Sequence, residues 1–239
     1  MPTAKVAVVV PTYNEVANMP ELVSRLFSLG IDGMRLYIVD DNSPDGTARV
    51  AHRLSGEHDG RIEIISRRAK LGLGTAYVAG FTRALDDGCD YVAQMDADLS
   101  HAPDHLPTML RKLRGADVVV GSRYTEGGGS DPSWGLKRRL LSAFGNYVIR
   151  FVTGLRVRDV TSGFKVYTAS ALGSLDMDSF RCRGFGFQSE VAFQCQSKGY
   201  VVLEHPIVFI DRTKGKSKMS LNIIVEAVWK LTLLRLRRL

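Results

Sequence analysis

Asp96 and Asp98 stand one residue apart, directly after the apolar run Tyr91-Val92-Ala93-Gln94-Met95, which reads as a buried strand; Pro103 marks a helix start just beyond them. Paired carboxylates at the carboxyl end of a strand fall on the edge where open α/β sheets bind ligands. Hard oxygen donors suit Mg²⁺ or Mn²⁺, and Mg²⁺ takes one or two carboxylates and completes its shell with water and substrate phosphates. The chemical reading of Asp96 and Asp98 is therefore a divalent-metal site; the alternative is a solvated turn. Tyr13, Glu15, Asp40 and Asp41 also follow apolar runs and are expected to converge on the same edge. His101 and His105 have the spacing of two ligands on a helix face, but Pro103 lies between them and no Glu follows His101, so they are expected as capping or solvated residues.

The familiar phosphate cradles do not occur in the sequence. Gly72-Leu73-Gly74-Thr75-Ala76-Tyr77 lacks the third glycine of a dinucleotide fingerprint, and Gly215-Lys216-Ser217 lacks the upstream glycine of a P-loop, position 210 being Ile. Phosphate charge would then be met by a metal on the acidic pair and by arginines.

The elements that must position these groups alternate along the chain. Val6-Ala7-Val8-Val9-Val10 is a strand ending at Pro11, and Leu22, Leu26 and Leu29 recur at helical spacing before Gly30. Leu36-Tyr37-Ile38-Val39 is a second strand, whose polar loop, residues 40–47, runs into another helix. Ile62-Glu63-Ile64-Ile65 is a third, and Val118-Val119-Val120 a fifth after the Tyr91 strand. Strands alternating with helices predict right-handed crossovers and a mostly parallel sheet.

The 239 residues suffice for one α/β domain with a C-terminal appendage. Hydrophobic content of 45% and charged content of 24% are those of a globular chain. Three widely spaced cysteines, Cys89, Cys182 and Cys195, predict neither a disulfide framework nor a zinc site. The apolar part of the N-terminus is too short for a secretion signal, and no stretch approaches the roughly 18 apolar residues of a membrane span, so the expectation is a protein on the cytosolic side without a span of its own. The net charge of +7 is uneven: residues 1–119 carry 13 basic against 16 acidic side chains, residues 120–239 carry 19 against 9. The basic half calls for an anionic partner: a phosphorylated substrate, a membrane surface or nucleic acid.

Within that half, Lys137, Arg138 and Arg139 precede Leu140, Leu141, Phe144, Tyr147, Val148 and Phe151 at helical spacing, the pattern of a basic amphipathic helix at a membrane surface or of a helix packed into the core. Gly127-Gly128-Gly129 before it predicts a mobile loop that could act as a lid. The tail from Ser220 places Ile224, Val228, Leu231 and Leu234 on one face and ends in basic residues; it is expected to lie on an anionic membrane or dock to a membrane-embedded partner.

Taken together, residues 11–15, 39–47, 71–76, 96–101 and 121–124 resemble the ordered motifs of family-two glycosyltransferases with the GT-A (nucleotide-diphospho-sugar transferase) fold. Trp134-Gly135-Leu136-Lys137-Arg138-Arg139, Asp159-Val160-Thr161-Ser162-Gly163-Phe164 and Phe209-Ile210-Asp211-Arg212 through Lys218 are similar to the polyprenyl- or dolichol-phosphate mannose synthases within that family, in a form lacking transmembrane helices. The resemblance implies a catalytic domain over residues 1–219 and an amphipathic basic helix over 220–239. It implies a nucleotide pocket at Pro11, Tyr13, Glu15, Val39 and Asp41, metal and diphosphate contacts at Asp96, Ala97 and Asp98 with Mg²⁺ or Mn²⁺, and phosphate contacts at Arg123, Arg139, Arg212 and Lys218. Where relatives carry a metal-holding Gln, this chain has Ser100. Asp98, Arg123 and Asp159 would be the catalytic residues; Asp159 matches the position of a base in relatives acting on sugar hydroxyls, and its plain structural role would be a pair with Arg156 or Arg158.

The implied reaction moves mannose from GDP-mannose to a polyprenyl phosphate with inversion. A phosphate monoester, with its second pKa near ~6, is largely dianionic at neutral pH and needs no strong base. A possible integral-membrane partner subunit and no nucleic acid complete the implied partners. The rival readings are a glucosyltransferase using UDP-glucose, a non-catalytic membrane-associated scaffold of the same fold, and a nucleic-acid-binding protein. The last is disfavoured because the basic residues are interleaved with Leu, Ile and Val rather than stacking aromatics.

Overall fold

The first strand sets the plan of the molecule. In the computed structural model, which describes residues 4–182, 184, 186–211, 229, 230 and 232, β1 (Val6–Thr12) runs between two parallel neighbours. Its side chains alternate between the two faces: Ala7 and Val9 enter one core cluster, Val8 and Val10 the other. Burial on both faces explains why its sequence is a continuous β-branched run instead of an alternating one. The chain then folds through α1 (Met19–Ser28), β2 (Met34–Asp40), α2 (Thr47–Gly56), β3 (Ile62–Ser66), α3 (Leu73–Asp86) and β4 (Tyr91–Gln94). It continues through α4 (Leu106–Lys112), β5 (Val118–Ser122), β6 (Gly129–Ser130) and α5 (Leu136–Thr153), and ends its described folds with β7 (Lys165–Thr168), α6 (Ala169–Gly173), α7 (Gly186–Ser197), β8 (Val202–Pro206) and β9 (Val208–Phe209).

Seven of these strands form one sheet in the order β3-β2-β1-β4-β7-β5-β8, and β6 pairs with β9 in a small separate sheet. One core cluster packs Met19, Leu22 and Leu26 of α1 and Met109 of α4 on one face, and the other packs Tyr77 and Phe81 of α3 with Phe187 of α7 on the opposite face. The result is a helix-sheet-helix sandwich. β2 and β3 lie to one side of β1 and β4 on the other, so the order reverses between β1 and β4.

Two features depart from the expected plan. β1 continues through Pro11 to Thr12 instead of stopping at the proline. The Val9 carbonyl accepts from Met95 and the Thr12 carbonyl from Asp41, so by alternation the Pro11 nitrogen faces the β4 side, where the last shared pair is Val9 with Gln94. A proline is tolerated there because no partner strand waits for its missing N–H. The second departure is β7, which is antiparallel to both β4 and β5. Its preceding loop therefore arrives at the edge where β4 and β5 end.

The three-glycine run is not a free loop. A Cβ on Gly128 would lie 2.5 Å from the Ser122 carbonyl oxygen, and Gly129-Ser130 is tied to β9. These glycines permit close backbone approach. The expected amphipathic tail lies outside the described residues apart from Trp229, Lys230 and Thr232. Among the described residues, no helix is long and apolar enough to cross a membrane.

α3 crosses β1 and β2 at Gly80, where a Cβ would meet Val9 Cγ1 at 2.3 Å and Val39 Cγ2 at 3.0 Å. Gly80→Ala gains about 1 kcal/mol of helix propensity, but the clash falls at the upper end of overpacking costs, near ~3 kcal/mol. A net loss of about 2 kcal/mol is expected, read as a lower urea midpoint at unchanged m.

Candidate active site

The site occupies the cleft that opens where β1 and β4 part. Pro11, Tyr13, Glu15 and Asp41 line one wall and Asp96, Ala97 and Asp98 the other, closed by Lys70 and the start of α3 at Gly72 and Leu73. Seven of the sequence-derived residues thus share one cavity. Val39 does not reach it; it is fully buried in the core beneath. Arg139 is exposed at the start of α5 and donates to the Asp131 carbonyl at 3.2 Å, away from those walls. Arg212 and Lys218 lie outside the described residues.

The acidic loop is held in a defined shape. Asp98 Oδ1 accepts from the Ser100 backbone N–H at 3.1 Å and the Ser100 hydroxyl at 2.6 Å, with Leu99 between them at φ +62°, a conformation costly for a residue with a Cβ. Ser100 is buried, so it acts on this loop by orienting Asp98. Asp96 Oδ1 accepts from the Tyr77 hydroxyl at 3.2 Å, and Oδ2 lies 3.7 Å from His101 Nδ1. His101 is neither a cap nor a solvated residue: it is buried against Phe164 and Phe209. Burial holds its pKa below the ordinary value despite the nearby Asp96. Its Nδ1 is a buried polar atom without a hydrogen-bond partner beside Asp96. Two carboxylates converging on an open cleft, with hard oxygens only, fit Mg²⁺ or Mn²⁺ completed by diphosphate and water. Among the described residues, no group of three or more His, Cys, Asp or Glu forms a self-sufficient metal cage, so a substrate would have to supply part of the shell.

On the opposite wall Asp41 is engaged by Arg67 (2.6 Å) and by the Gly72 N–H (2.9 Å). Gly72 sits at φ +105°, which explains a glycine at the head of α3. Glu15 accepts from Asn18 at 2.7 Å and its N–H donates to Thr47 at 3.0 Å. Lys70 lies over the Tyr13 ring at 3.7 Å, a cation–π contact at the cleft mouth.

Asp159 pairs with Arg123, not with its sequence neighbours Arg156 and Arg158. Arg123 donates through Nε (2.7 Å), Nη2 (2.8 Å) and its backbone N–H (3.0 Å) to the one carboxylate, and through Nη2 to Thr161 (2.7 Å). Asp159 is 0% and Arg123 9% exposed. Burial alone would raise the carboxyl pKa, but the Arg123 charge and hydrogen bonds outweigh it and hold it below the ordinary value. Burial likewise works against the guanidinium, and Asp159 keeps its pKa raised. The loop is fixed from outside as well: Asn146 of α5 accepts from the Val160 N–H at 3.0 Å, and Glu204 of β8 accepts from Arg158 and Asp159 N–H groups at 3.0 and 3.1 Å.

An open α/β sheet with an acidic pair at its point of reversal is the GT-A architecture. The chain belongs to glycosyl transferase family 2, the family whose profile residues 7–175 match. It is 39% identical over 228 residues to the undecaprenyl-phosphate mannosyltransferase of Micrococcus luteus, covering 95% of this chain and 93% of that protein. It is 38% identical over 230 residues to the polyprenol monophosphomannose synthase of Mycolicibacterium smegmatis, covering 96% and 86%. In fold it is similar to the mannosyltransferase PcManGT of Pyrobaculum calidifontis, solved in complex with GDP-Man and Mn²⁺, at a TM-score of 0.65 and 17% identity over 98% of this chain and 64% of that one.

Sequence reasoning passed over Tyr77, Arg67, Lys70 and Thr161. Tyr77 sits on the buried face of α3 and reads as core, so periodicity carries no sign of its hydroxyl's target. Removing the charge of Asp159 leaves a buried guanidinium uncompensated. Asp159→Asn is expected to cost about 3–5 kcal/mol at pH 7. Because the folded-state pKa of Asp159 is depressed, the pair contributes fully above the ordinary carboxylate value near ~4 and is lost as pH falls through the folded-state value. The gap between variant and wild type should therefore narrow in urea titrations carried from pH 7 to below that range.

Proposed function

We propose that the protein transfers mannose from GDP-mannose to a polyprenyl phosphate, with inversion at the sugar carbon, giving a β-linked mannosyl phosphate lipid. The observation that carries this reading is the match across nearly the full length of both chains to two polyprenyl-phosphate mannosyl-transferring relatives. In this reading residues 1–219 are the catalytic domain and residues 220–239 an amphipathic appendage.

Asp96 and Asp98 would hold Mg²⁺ or Mn²⁺, which when bound supplies positive charge to the diphosphate leaving group. Tyr13 offers an aromatic face to the nucleoside, while Glu15 and Asp41 offer acceptors for base or ribose donors. The acceptor phosphate oxygen forms a bond to the anomeric carbon as the bond to GDP breaks, and the electron pair leaves with GDP. A dianionic nucleophile needs no proton removed, which accords with a buried, ion-paired Asp159. The Asp159 side chain orients Arg123 rather than acting as a base. Arg123, Arg139, Arg212 and Lys218 are assigned to the phosphates of donor and acceptor, where guanidinium forks bind oxyanions well.

The acceptor side is supported by α5, whose packing is inverted relative to a core helix. Leu136, Leu140, Phe144, Tyr147 and Phe151 fall on one face and are 60–74% exposed, while Ser142, Gly145, Asn146, Ile149 and Thr153 face the body. With exposed Lys137 and Arg139 at its start, that face suits the headgroup layer of an anionic membrane; in this proposal the protein lies peripherally on a cytosolic membrane face, alone or with an integral-membrane partner.

The decisive assay is transfer of radiolabel from GDP-mannose, and in parallel from UDP-glucose, into an organic phase containing polyprenyl phosphate, with and without EDTA. EDTA-sensitive labelling from GDP-mannose alone is expected. Labelling from UDP-glucose would replace the donor, and none from either with detergent present would favour a scaffold. For α5, Leu140→Glu combined with Phe144→Glu is expected to reduce co-sedimentation with anionic vesicles several-fold while changing stability by less than about 1 kcal/mol, since both side chains are exposed. Undiminished sedimentation would remove α5 from the membrane contact.

A further inference from the structure

Beneath the acidic cleft lies a group of buried polar side chains that the proposed chemistry does not use. Lys165, the first residue of β7, is 1% exposed. Its ammonium donates to the Ser162 carbonyl at 2.5 Å and to Gln188 Oε1 at 2.8 Å, two acceptors without charge. Gln94, the last residue of β4, donates through Nε2 to the Gly163 carbonyl at 3.1 Å and to the same Gln188 oxygen at 2.6 Å, and accepts from the Tyr167 hydroxyl at 2.6 Å. Two donors converging on Gln188 fix which end of its amide faces them, and its Nε2 is left buried without a partner.

A buried lysine is costly, and burial pulls its pKa down to about 7. An apolar side chain would fill the space more cheaply. What the lysine adds is a grip on a turn. The carbonyls of Ser162 and Gly163 are both held from below, and on its other side the turn lies so near Asp96 that only a glycine fits between: a Cβ on Gly163 would stand 3.0 Å from Oδ2 and 3.2 Å from Oδ1. The same segment begins with Asp159 and Thr161, which hold Arg123. The turn therefore adjoins the metal-side carboxylate at one end and continues from the residues that hold the buried arginine at the other.

We infer that Lys165, Gln94 and Gln188 are positioning residues that set the Ser162-Gly163 turn against Asp96, and so tune the affinity of the acidic pair for a metal-bound nucleoside diphosphate. The inference rests on the nucleotide-sugar reading of the cleft. It does not require transfer to occur.

The test is Mn²⁺-dependent GDP binding by calorimetry on the full chain, with urea denaturation alongside. Wild type that binds no GDP in Mn²⁺ would overturn the reading of the cleft, and the inference with it. Given binding, Lys165→Met is expected to weaken it by about 10-fold, the low end of what removing a direct partner of a metal ligand costs, because Lys165 acts on Asp96 through the turn. Leu54→Ala, which lowers stability by emptying a core position late in α2 and touches neither the cleft nor the turn, should bind as wild type does. Gln188 gives a second pair should Lys165→Met not fold. Gln188→Met removes the shared acceptor and is expected to weaken binding, whereas Gln188→Glu keeps both acceptor contacts, exchanges the partnerless amide nitrogen for a carboxylate oxygen whose charge Lys165 meets at 2.8 Å, and should retain it. Unchanged affinity in Lys165→Met or Gln188→Met would overturn the inference, as would equal weakening in Leu54→Ala, which would mark the effect as general loss of stability.

Discussion

The separation of two parallel strands governs the molecule. β1 and β4 share hydrogen bonds only as far as Val9 and Gln94, with one more from Met95 to the Val9 carbonyl. Past that point their backbones have no mutual partner, and each must send its polar groups elsewhere. β1 meets the requirement with Pro11, which has no N–H on that side, and β4 with a tight acidic turn closed by Ser100. The cleft is thus a consequence of strand order: the sheet spreads one way through β2 and the other way through β4, and a gap must open at the reversal.

A gap between strands is only a place; the antiparallel β7 makes it a chemical site. Had β7 run parallel to its neighbours, residues 159–164 would arrive at the far edge of the sheet. Running against them, they reach the edge where Asp96 already stands. This forces polar backbone into a crowded interior, and the surroundings answer each group in turn. Glu204 and Asn146 take the N–H groups of the loop, Lys165 and Gln94 its carbonyls, and Arg123 the one full carboxylate. Charges are buried here only with an opposite charge or with neutral dipoles aimed at them, the condition under which burial is tolerable.

What the sequence discloses follows from the same division. The first five strands and α1 were legible because a run such as Val6-Ala7-Val8-Val9-Val10 has few other ways to bury itself, and Tyr13, Glu15, Asp41, Asp96 and Asp98 were legible in the cleft because acidic and aromatic groups directly follow such runs, whereas Pro11 and Ala97 came from the family resemblance alone. β7 was not, since Lys165-Val166-Tyr167 carries a charge in its first position and nothing local states its direction. His101 was misread for a related reason: Pro103 two residues on suggests a cap or a solvated residue, whereas its ring is packed between Phe164 and Phe209 from distant segments. Asp159 has two arginines beside it in sequence and takes a third from 36 residues away. One sign was visible in advance. Gln94 interrupts an apolar strand, and a polar side chain in such a run must find partners there.

α5 sets the opposite problem, because its apolar face has the helical period of a core helix and is turned outward. Its inner face is anchored in the core by Ile149 and otherwise carries Ser142, Gly145, Asn146 and Thr153, small or polar groups that let the helix lie close to the loop it restrains through Asn146. Rotating the helix to bury Phe144 and Tyr147 would break that contact and release residues 158–160, and with them the partner of Arg123. The fold therefore commits the small face inward for the sake of the site. Five large side chains are left in water, each worth roughly 1.5–3 kcal/mol if buried, a sum comparable to the whole net stability of a domain. Scattered exposed leucines need no explanation, but a contiguous stripe on one rigid helix is of the kind that marks a contact surface. It lies on the same helix that braces the Arg123 loop, so a lipid surface meeting α5 would be mechanically joined to the cleft through Asn146.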